Sequence, residues 1–138
     1  MMMNNKIILK SLWVWAGIIP LAILNGILRE VFLEPLFGTV PAQIISGLIL
    51  IDMIFIMAYI FIPRLGEMDG PGYIKMGLVW GAATVIFETA FGLLMGMSAQ
   101  EIFGAYDITT GNLWSLVVVF IVFAPWLVMR VRKSSIEN

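Results

Sequence analysis

Long runs of apolar residues, separated by short polar breaks, dominate this chain. The four runs lie at about residues 7–28, 41–62, 73–97 and 113–129. Their lengths are close to the roughly 20 apolar residues that a helix needs to cross the hydrocarbon core of a bilayer. One break contains the sequence Asp69-Gly70-Pro71-Gly72, which disfavours a continuous helix. The pattern predicts an all-α, polytopic membrane protein: a single domain built as a bundle of four transmembrane helices.

Composition supports the same fold class and excludes several functions. Of the 138 residues, 61% are hydrophobic and 12% are charged, whereas a soluble domain has about 45–50% apolar and a quarter charged residues. The chain contains no cysteine and no histidine, which excludes disulfides, thiol chemistry and histidine-ligated haem or zinc. We expect no cofactor and no metal. A net charge of −1 without a large basic cluster argues against a nucleic-acid partner.

Basic residues predict the orientation in the membrane. Of the eight lysines and arginines, all but Arg29 lie at one end of the predicted bundle: Lys6, Lys10, Arg64, Lys75, Arg130, Arg132 and Lys133. Basic residues near the ends of membrane spans remain in the cytoplasm. We therefore expect both termini to be cytoplasmic and the protein to be a multi-pass protein of the cell's inner membrane.

The two connecting segments at the other end differ in character. Residues 31–38 are strongly apolar for a loop and are expected to extend the first helix or to form a short helix at the membrane surface. Residues 98–111 are polar, and the pattern predicts a short helix at about 99–104.

Asp52 lies near the middle of the second span, and no basic residue occurs in that span before Arg64. An ionisable group inside the membrane is costly and needs a partner or a function. One interpretation is a carboxyl that binds a cation or a proton, and the other is a protonated carboxyl that hydrogen-bonds another helix. Its neighbours on the same helix face are apolar except for Tyr59, two turns away.

Glu88 lies in the third span, on a stripe of small residues. The stripe comprises Gly77, Gly81, Thr84, Glu88, Gly92 and Gly96, at spacings of three or four residues. Such spacings place residues on one helix face, and small residues allow helix backbones to approach closely in lipid. We expect the four glycines to serve helix packing and Glu88 to face protein rather than lipid.

Asn25 and Arg29 share a face near the end of the first span, four residues apart. Arg29 is predicted to pair with Glu88, which would neutralise both charges. Glu30 is a competing partner, although adjacent residues point apart on a helix. With these residues, Asp107 and Asn112 are expected to form a polar cluster. The cluster is either a structural clasp between helices or a binding site.

Several short motifs combine polar residues with glycine, proline or aromatic residues: Leu24-Asn25-Gly26-Ile27-Leu28-Arg29-Glu30, Phe87-Glu88, Tyr106-Asp107, Gly111-Asn112-Leu113-Trp114 and Ala124-Pro125. In these motifs the chain resembles a family of small bacterial membrane proteins with four spans. That family has no assigned function, so the resemblance implies an architecture and no activity. Small multidrug transporters differ, because their essential carboxyl lies in the first span, where this chain has no acidic residue before Glu30.

These observations leave three functional hypotheses. The first is a homo-oligomeric transporter or channel in which Asp52 and Glu88 bind a cation or protons. The second is a non-transporting membrane module that stabilises or regulates another membrane protein. An enzyme is ranked last, because the sequence contains no evident nucleophile–base pair or close pair of carboxyls. The expected partners are membrane lipid, further copies of the chain and another membrane protein.

Overall fold

The computed structural model of the protein describes residues 2–104, 106–107, 109 and 113–137. These residues form helices and no strand. The chain order is α1 (Met2–Leu28), a π-helical turn (Arg29–Leu33), α2 (Glu34–Phe37), α3 (Thr39–Leu65), α4 (Gly70–Leu94), α5 (Ala99–Gly104) and α6 (Trp114–Glu137).

Four of the helical segments are long and apolar enough to cross a membrane, as the sequence predicts. Large apolar side chains are exposed on every long helix, among them Trp13, Leu48, Leu78 and Phe123. Water would penalise so much exposed apolar surface, whereas lipid does not. The chain is therefore a multi-pass helical membrane protein.

The first segment extends beyond its predicted end at Leu28. The helix widens into the π-helical turn and continues through α2 to Phe37. Gly38 alone separates α2 from α3, with a φ of +89° that favours glycine. The apolar residues 31–38 therefore extend the first helix, which was one of the two expectations.

The four long helices form a ring in the order α1, α3, α6, α4, in which each helix packs mainly against its two neighbours. α1 and α4 run parallel to each other. We name the two ends of the bundle after their arginines. The Arg64 end holds the start of α1, the loop at residues 66–69 and the end of α6, and the Arg29 end holds Gly38 and α5.

Contact between α4 and α6 depends on two glycines. A Cβ on Gly77 would overlap the backbone carbonyl oxygen of Val122, and a Cβ on Gly81 would lie 2.5 Å from the Cγ2 atom of Val122. Gly92 lies against Ile102 of α5, where a Cβ would approach the Cγ1 atom to 2.8 Å. The face of small residues therefore contacts protein at these three positions.

Gly96 does not belong to this face, contrary to the prediction. α4 ends at Leu94 rather than Met97, and Gly96 follows with a φ of +83°. The amide of Gly96 donates to the Leu93 carbonyl oxygen (3.1 Å), and that of Met97 donates to the Gly92 carbonyl oxygen (2.9 Å). These bonds form a Schellman motif, in which glycine adopts the left-handed conformation that ends a helix.

Candidate functional site

A cavity of about 490 Å³ lies between α1 and α4 in the half of the bundle near the Arg29 end. We call it the Glu88 cavity. Residues 15–30 line one side and residues 84–92 the other, while Leu50 of α3 and Val117 of α6 contribute to its apolar wall. The volume is typical of a pocket for a small molecule.

Reciprocal tryptophan–hydroxyl hydrogen bonds join α1 to α4 on the side of the cavity nearer the Arg64 end. The Trp15 indole N–H donates to Thr84 Oγ1 (2.9 Å), and the Trp80 indole N–H donates to Ser11 Oγ (2.9 Å). Each hydroxyl in turn donates to a carbonyl of its own helix, Ser11 to Ile8 (2.5 Å) and Thr84 to Trp80 (2.8 Å). We call these four side chains the Trp–hydroxyl layer.

The sequence reasoning missed most of this layer. Ser11 and Trp80 are fully buried, but neither was considered a candidate. The available signal was spacing, since Ser11 precedes Trp15 by four residues and Trp80 precedes Thr84 by four. Residues four apart share a helix face, so two helices with the same polar spacing can form two bonds in register.

Glu88 lies one turn beyond Thr84 and lines the cavity. Its side chain is half-buried, and it has no hydrogen-bond or ion-pair partner within the part of the chain that the structure describes. Three aromatic side chains, Trp15, Phe87 and Phe91, line the same cavity. Trp15 and Phe87 pack edge to face with centroids 6.3 Å apart, and Phe87 stacks on Phe91 at 5.7 Å.

Arg29 does not pair with Glu88, so this prediction is wrong. The Arg29 Nε atom lies 3.9 Å from Glu34 Oε1, and its Nη2 atom lies 4.0 Å from Glu30 Oε1. The register explains the difference. Because Trp15 bonds Thr84, Glu88 lies level with residue 19, and Arg29 lies ten residues, or roughly 15 Å, further along the helix axis. The π-helical turn brings Glu34, five residues on, to the same side as Arg29.

Asn25 lines the cavity at a depth between those of Glu88 and Arg29. Its Oδ1 atom accepts a hydrogen bond from Ser46 Oγ of α3, so the residue clasps α1 to α3. The side chain is 5% exposed, and its Nδ2 atom has no hydrogen-bond partner in the described residues. The amide therefore serves structure through one atom and leaves a buried donor free at the other.

Asp52 lies outside the cavity. It occupies the midpoint of α3 on an exposed face, while the buried face of that helix consists of Ala42, Ser46, Leu50, Ile54, Ala58 and Ile62. Asp52 has no hydrogen-bond or ion-pair partner within the described chain. Among the described residues it therefore does not hydrogen-bond another helix of the same chain, contrary to the structural interpretation.

Tyr59 and Asp107 also lie away from the cavity. The Tyr59 ring contacts the Arg132 guanidinium, 4.9 Å from the ring centroid, near the Arg64 end. Asp107 Oδ1 accepts from the Thr109 hydroxyl (2.6 Å) and backbone amide (3.0 Å). The hydroxyl bond first, and then the amide bond, lower the pKa of the exposed Asp107 carboxyl. Asn112, the last member of the predicted cluster, is outside the described residues.

The described residues contain no group of three or more acidic side chains that could hold a metal ion. No known protein family, curated protein or solved structure matches this chain. The resemblance to the small four-span family therefore stays a prediction.

Proposed function

We propose that this protein is a small membrane transporter that binds an apolar organic cation, in exchange for a proton, at Glu88. One observation carries the proposal. A half-buried carboxyl without a partner in the described residues faces a cavity with largely apolar walls. Retaining an ionisable group at such a position is costly, and groups of this kind commonly mark the path of an ion or substrate.

The surroundings of Glu88 support a cation rather than an anion. The carboxylate supplies a negative charge, and the rings of Trp15, Phe87 and Phe91 line the same cavity. Aromatic faces attract cations, most strongly when the site is dry. Arg29 does not offset this preference, because its guanidinium already lies beside Glu30 and Glu34.

The proposed orientation places the Arg64 end in the cytoplasm and the Glu88 cavity in the outer half of the inner membrane. The support is the distribution of lysine and arginine, all of which except Arg29 lie at the Arg64 end. Basic flanks of membrane spans are retained on the cytoplasmic side. Both termini are then cytoplasmic.

The proposed assembly is a homo-oligomer in which α3 packs against α3 of a second copy. Asp52 supports it, because a carboxyl at the centre of a lipid-exposed helix face is unfavourable unless another polypeptide covers it. A parallel copy related by a two-fold axis would bring the two Asp52 side chains together at the same depth, where they could share a proton.

Binding of tetraphenylphosphonium to the purified protein in nanodiscs tests the cation site. Wild type should bind it with release of a proton, and should bind a neutral triphenyl analogue more weakly. Glu88→Gln should reduce affinity for the cation at least tenfold, because the negative charge is lost. Glu67→Gln makes the same change in the loop at the Arg64 end and should bind as wild type does. Equal affinity of wild type and Glu88→Gln would refute the cation site.

A non-transporting module that stabilises or regulates a partner is the second candidate. It is favoured by the separation of the two carboxyls, since Asp52 does not line the Glu88 cavity, and by the Trp–hydroxyl layer between the cavity and the Arg64 end. Uptake of the same cation into proteoliposomes under a pH gradient distinguishes the two. Binding with no uptake would favour the module.

A further inference from the structure

A second concave surface lies between α1 and α3 near the Arg64 end and shares no lining residue with the Glu88 cavity. We call it the Lys10 groove, with a volume of about 430 Å³. Two basic residues, Lys10 and Arg64, line it together with apolar side chains that include Trp13, Met57 and Phe61. No acidic residue lines it in the described part of the chain.

Lys10 and Arg64 lie at the same depth in the membrane. α1 and α3 run antiparallel, and their register is given by two contacts. The Ile7 side chain lies against Gly66, and the Met57 side chain lies against Gly17. Lys10, three residues after Ile7, is therefore level with residues 63–64. The two cations thus lie side by side at the end of the groove.

Within the described residues, the chain does not neutralise either cation. Both side chains are exposed, and neither forms an ion pair with an acidic residue that the structure describes. Arg64 is held over the Phe61 ring, with its guanidinium carbon 5.8 Å from the centroid. This contact orients the guanidinium and leaves its N–H groups available to an oxygen-rich anion.

The rest of the groove is apolar and faces outward. Trp13 lies about one turn deeper than Lys10, and 82% of its surface is exposed. Phe61 lies at a similar depth on α3, and Met57 follows one turn further in. An indole at this depth is typical of the membrane interface. The groove therefore offers cations at headgroup level and a hydrocarbon surface directly below them.

We propose that the Lys10 groove binds a phospholipid with an anionic headgroup. The phosphate contacts Lys10 and Arg64, and an acyl chain lies along Trp13, Met57 and Phe61. Charge complementarity selects this occupant, because two uncompensated cations at headgroup depth favour an anionic lipid over a zwitterionic one. The groove is separate from the Glu88 cavity, and the proposal does not depend on the proposed transport function.

Native mass spectrometry of the purified protein tests the lipid site, with phosphatidylglycerol and phosphatidylcholine competing at equal concentrations. Wild type should prefer phosphatidylglycerol. Each of Lys10→Gln and Arg64→Gln should lower that preference about fivefold, the factor that corresponds to one basic residue near an anionic surface. Excess inorganic phosphate should not displace the lipid, because phosphate lacks the acyl chain.

Two further variants keep the result interpretable. Arg130 also lies over an aromatic ring, 5.3 Å from the Trp126 centroid, but it does not line the groove. The variant Arg130→Gln should therefore retain the preference for phosphatidylglycerol. Lys10→Arg keeps the charge and should retain it too. If Arg130→Gln lowers the preference for phosphatidylglycerol as much as the groove variants do, the preference comes from general surface charge and not from the groove. An unchanged preference in the Lys10→Gln/Arg64→Gln double variant would overturn the proposal.

Discussion

Buried polar side chains in this protein are satisfied mainly in pairs that join two helices. Ser11 with Trp80 and Trp15 with Thr84 connect α1 to α4, while Asn25 with Ser46 connects α1 to α3. In lipid an unpaired donor finds no water, so such pairs fix which helices are neighbours and in what register. That register in turn sets the level of Glu88 in its cavity.

Trp80→Phe should therefore destabilise the protein moderately. The ring is kept, but the Ser11 hydroxyl loses its donor, at a cost of about 0.5–1.5 kcal/mol. Trp80→Ala also creates a cavity in the bundle and should cost about 3–5 kcal/mol. Unfolding in mixed detergent micelles measures both. Trp13→Phe, on the exposed surface of α1, is the control and should be nearly neutral; equal losses in Trp13→Phe and Trp80→Phe would contradict the role of the hydrogen bond.

The sequence predicted some side-chain environments better than others. Glu88 was expected to face protein because Gly77, Gly81 and Gly92 share its stripe, and it lines an internal cavity. The pairing of Arg29 with Glu34 instead of Glu88 could not be predicted, because it depends on a π-helical turn and on a register set by Trp15 and Thr84. Neither feature has a signal in hydrophobic periodicity.

Helices were predictable because lipid imposes length and apolarity on each span. All four were located, but their ends were shifted by several residues, as for α4, which begins at Gly70 and ends at Leu94. The start follows from capping, since Asp69 Oδ1 accepts from the Gly72 amide (2.9 Å). The end follows from the left-handed Gly96. Both are local backbone features that a hydropathy average does not resolve.

Close packing of α4 on α6 yields a prediction for these two helices. Gly77→Leu and Gly81→Leu should each prevent native folding or lower stability by several kcal/mol, because the new side chain would overlap Val122 and force the helices apart. Circular dichroism and gel filtration of the detergent-solubilised variants measure the effect. Gly26→Ala is the matched control. A Cβ at Gly26 meets no atom within 4 Å, so this variant should leave stability unchanged or raise it by up to about 1 kcal/mol. If both leucine variants fold like wild type, close contact between α4 and α6 is not required for the fold.

On the scale of the whole molecule, the bundle separates its two intramembrane carboxyls. Glu88 faces a cavity inside the ring of helices, and Asp52 faces away from the ring. The sequence suggested that both would bind a cation or protons, because each lies within an apolar span and hydropathy does not rank the faces of α3. Leucine and isoleucine occur on both the lipid-facing and the protein-facing side of this helix, so hydropathy does not distinguish them. The small residues Ala42, Ser46 and Ala58 all lie on the buried side, as close helix packing in lipid favours.

The outward face of α3 leads to the last prediction. Every fourth residue on it is exposed, and Asp52 is the polar member of the series Val40, Ile44, Leu48, Asp52, Ile56 and Ile60. Asp52 lies at the centre of the helix, with thirteen residues on either side, and hence close to the middle of the bilayer. If a second copy covers this face, the two carboxyls meet at the two-fold axis and stabilise the pair through a shared proton.

Cysteine crosslinking in native membranes tests this arrangement, and the chain has no cysteine of its own to interfere. Leu48→Cys and Ile56→Cys, on either side of Asp52, should form disulfide-linked dimers on mild oxidation. Ile86→Cys, on the exposed surface of α4 at a depth similar to that of Ile56, should not. Adding Asp52→Leu should reduce crosslinking at both positions several-fold while the protein still folds, since leucine suits a lipid-facing position and removes the shared proton. Crosslinking that is as strong at residue 86, or that is unchanged by Asp52→Leu, would mean that Asp52 does not hold two copies together.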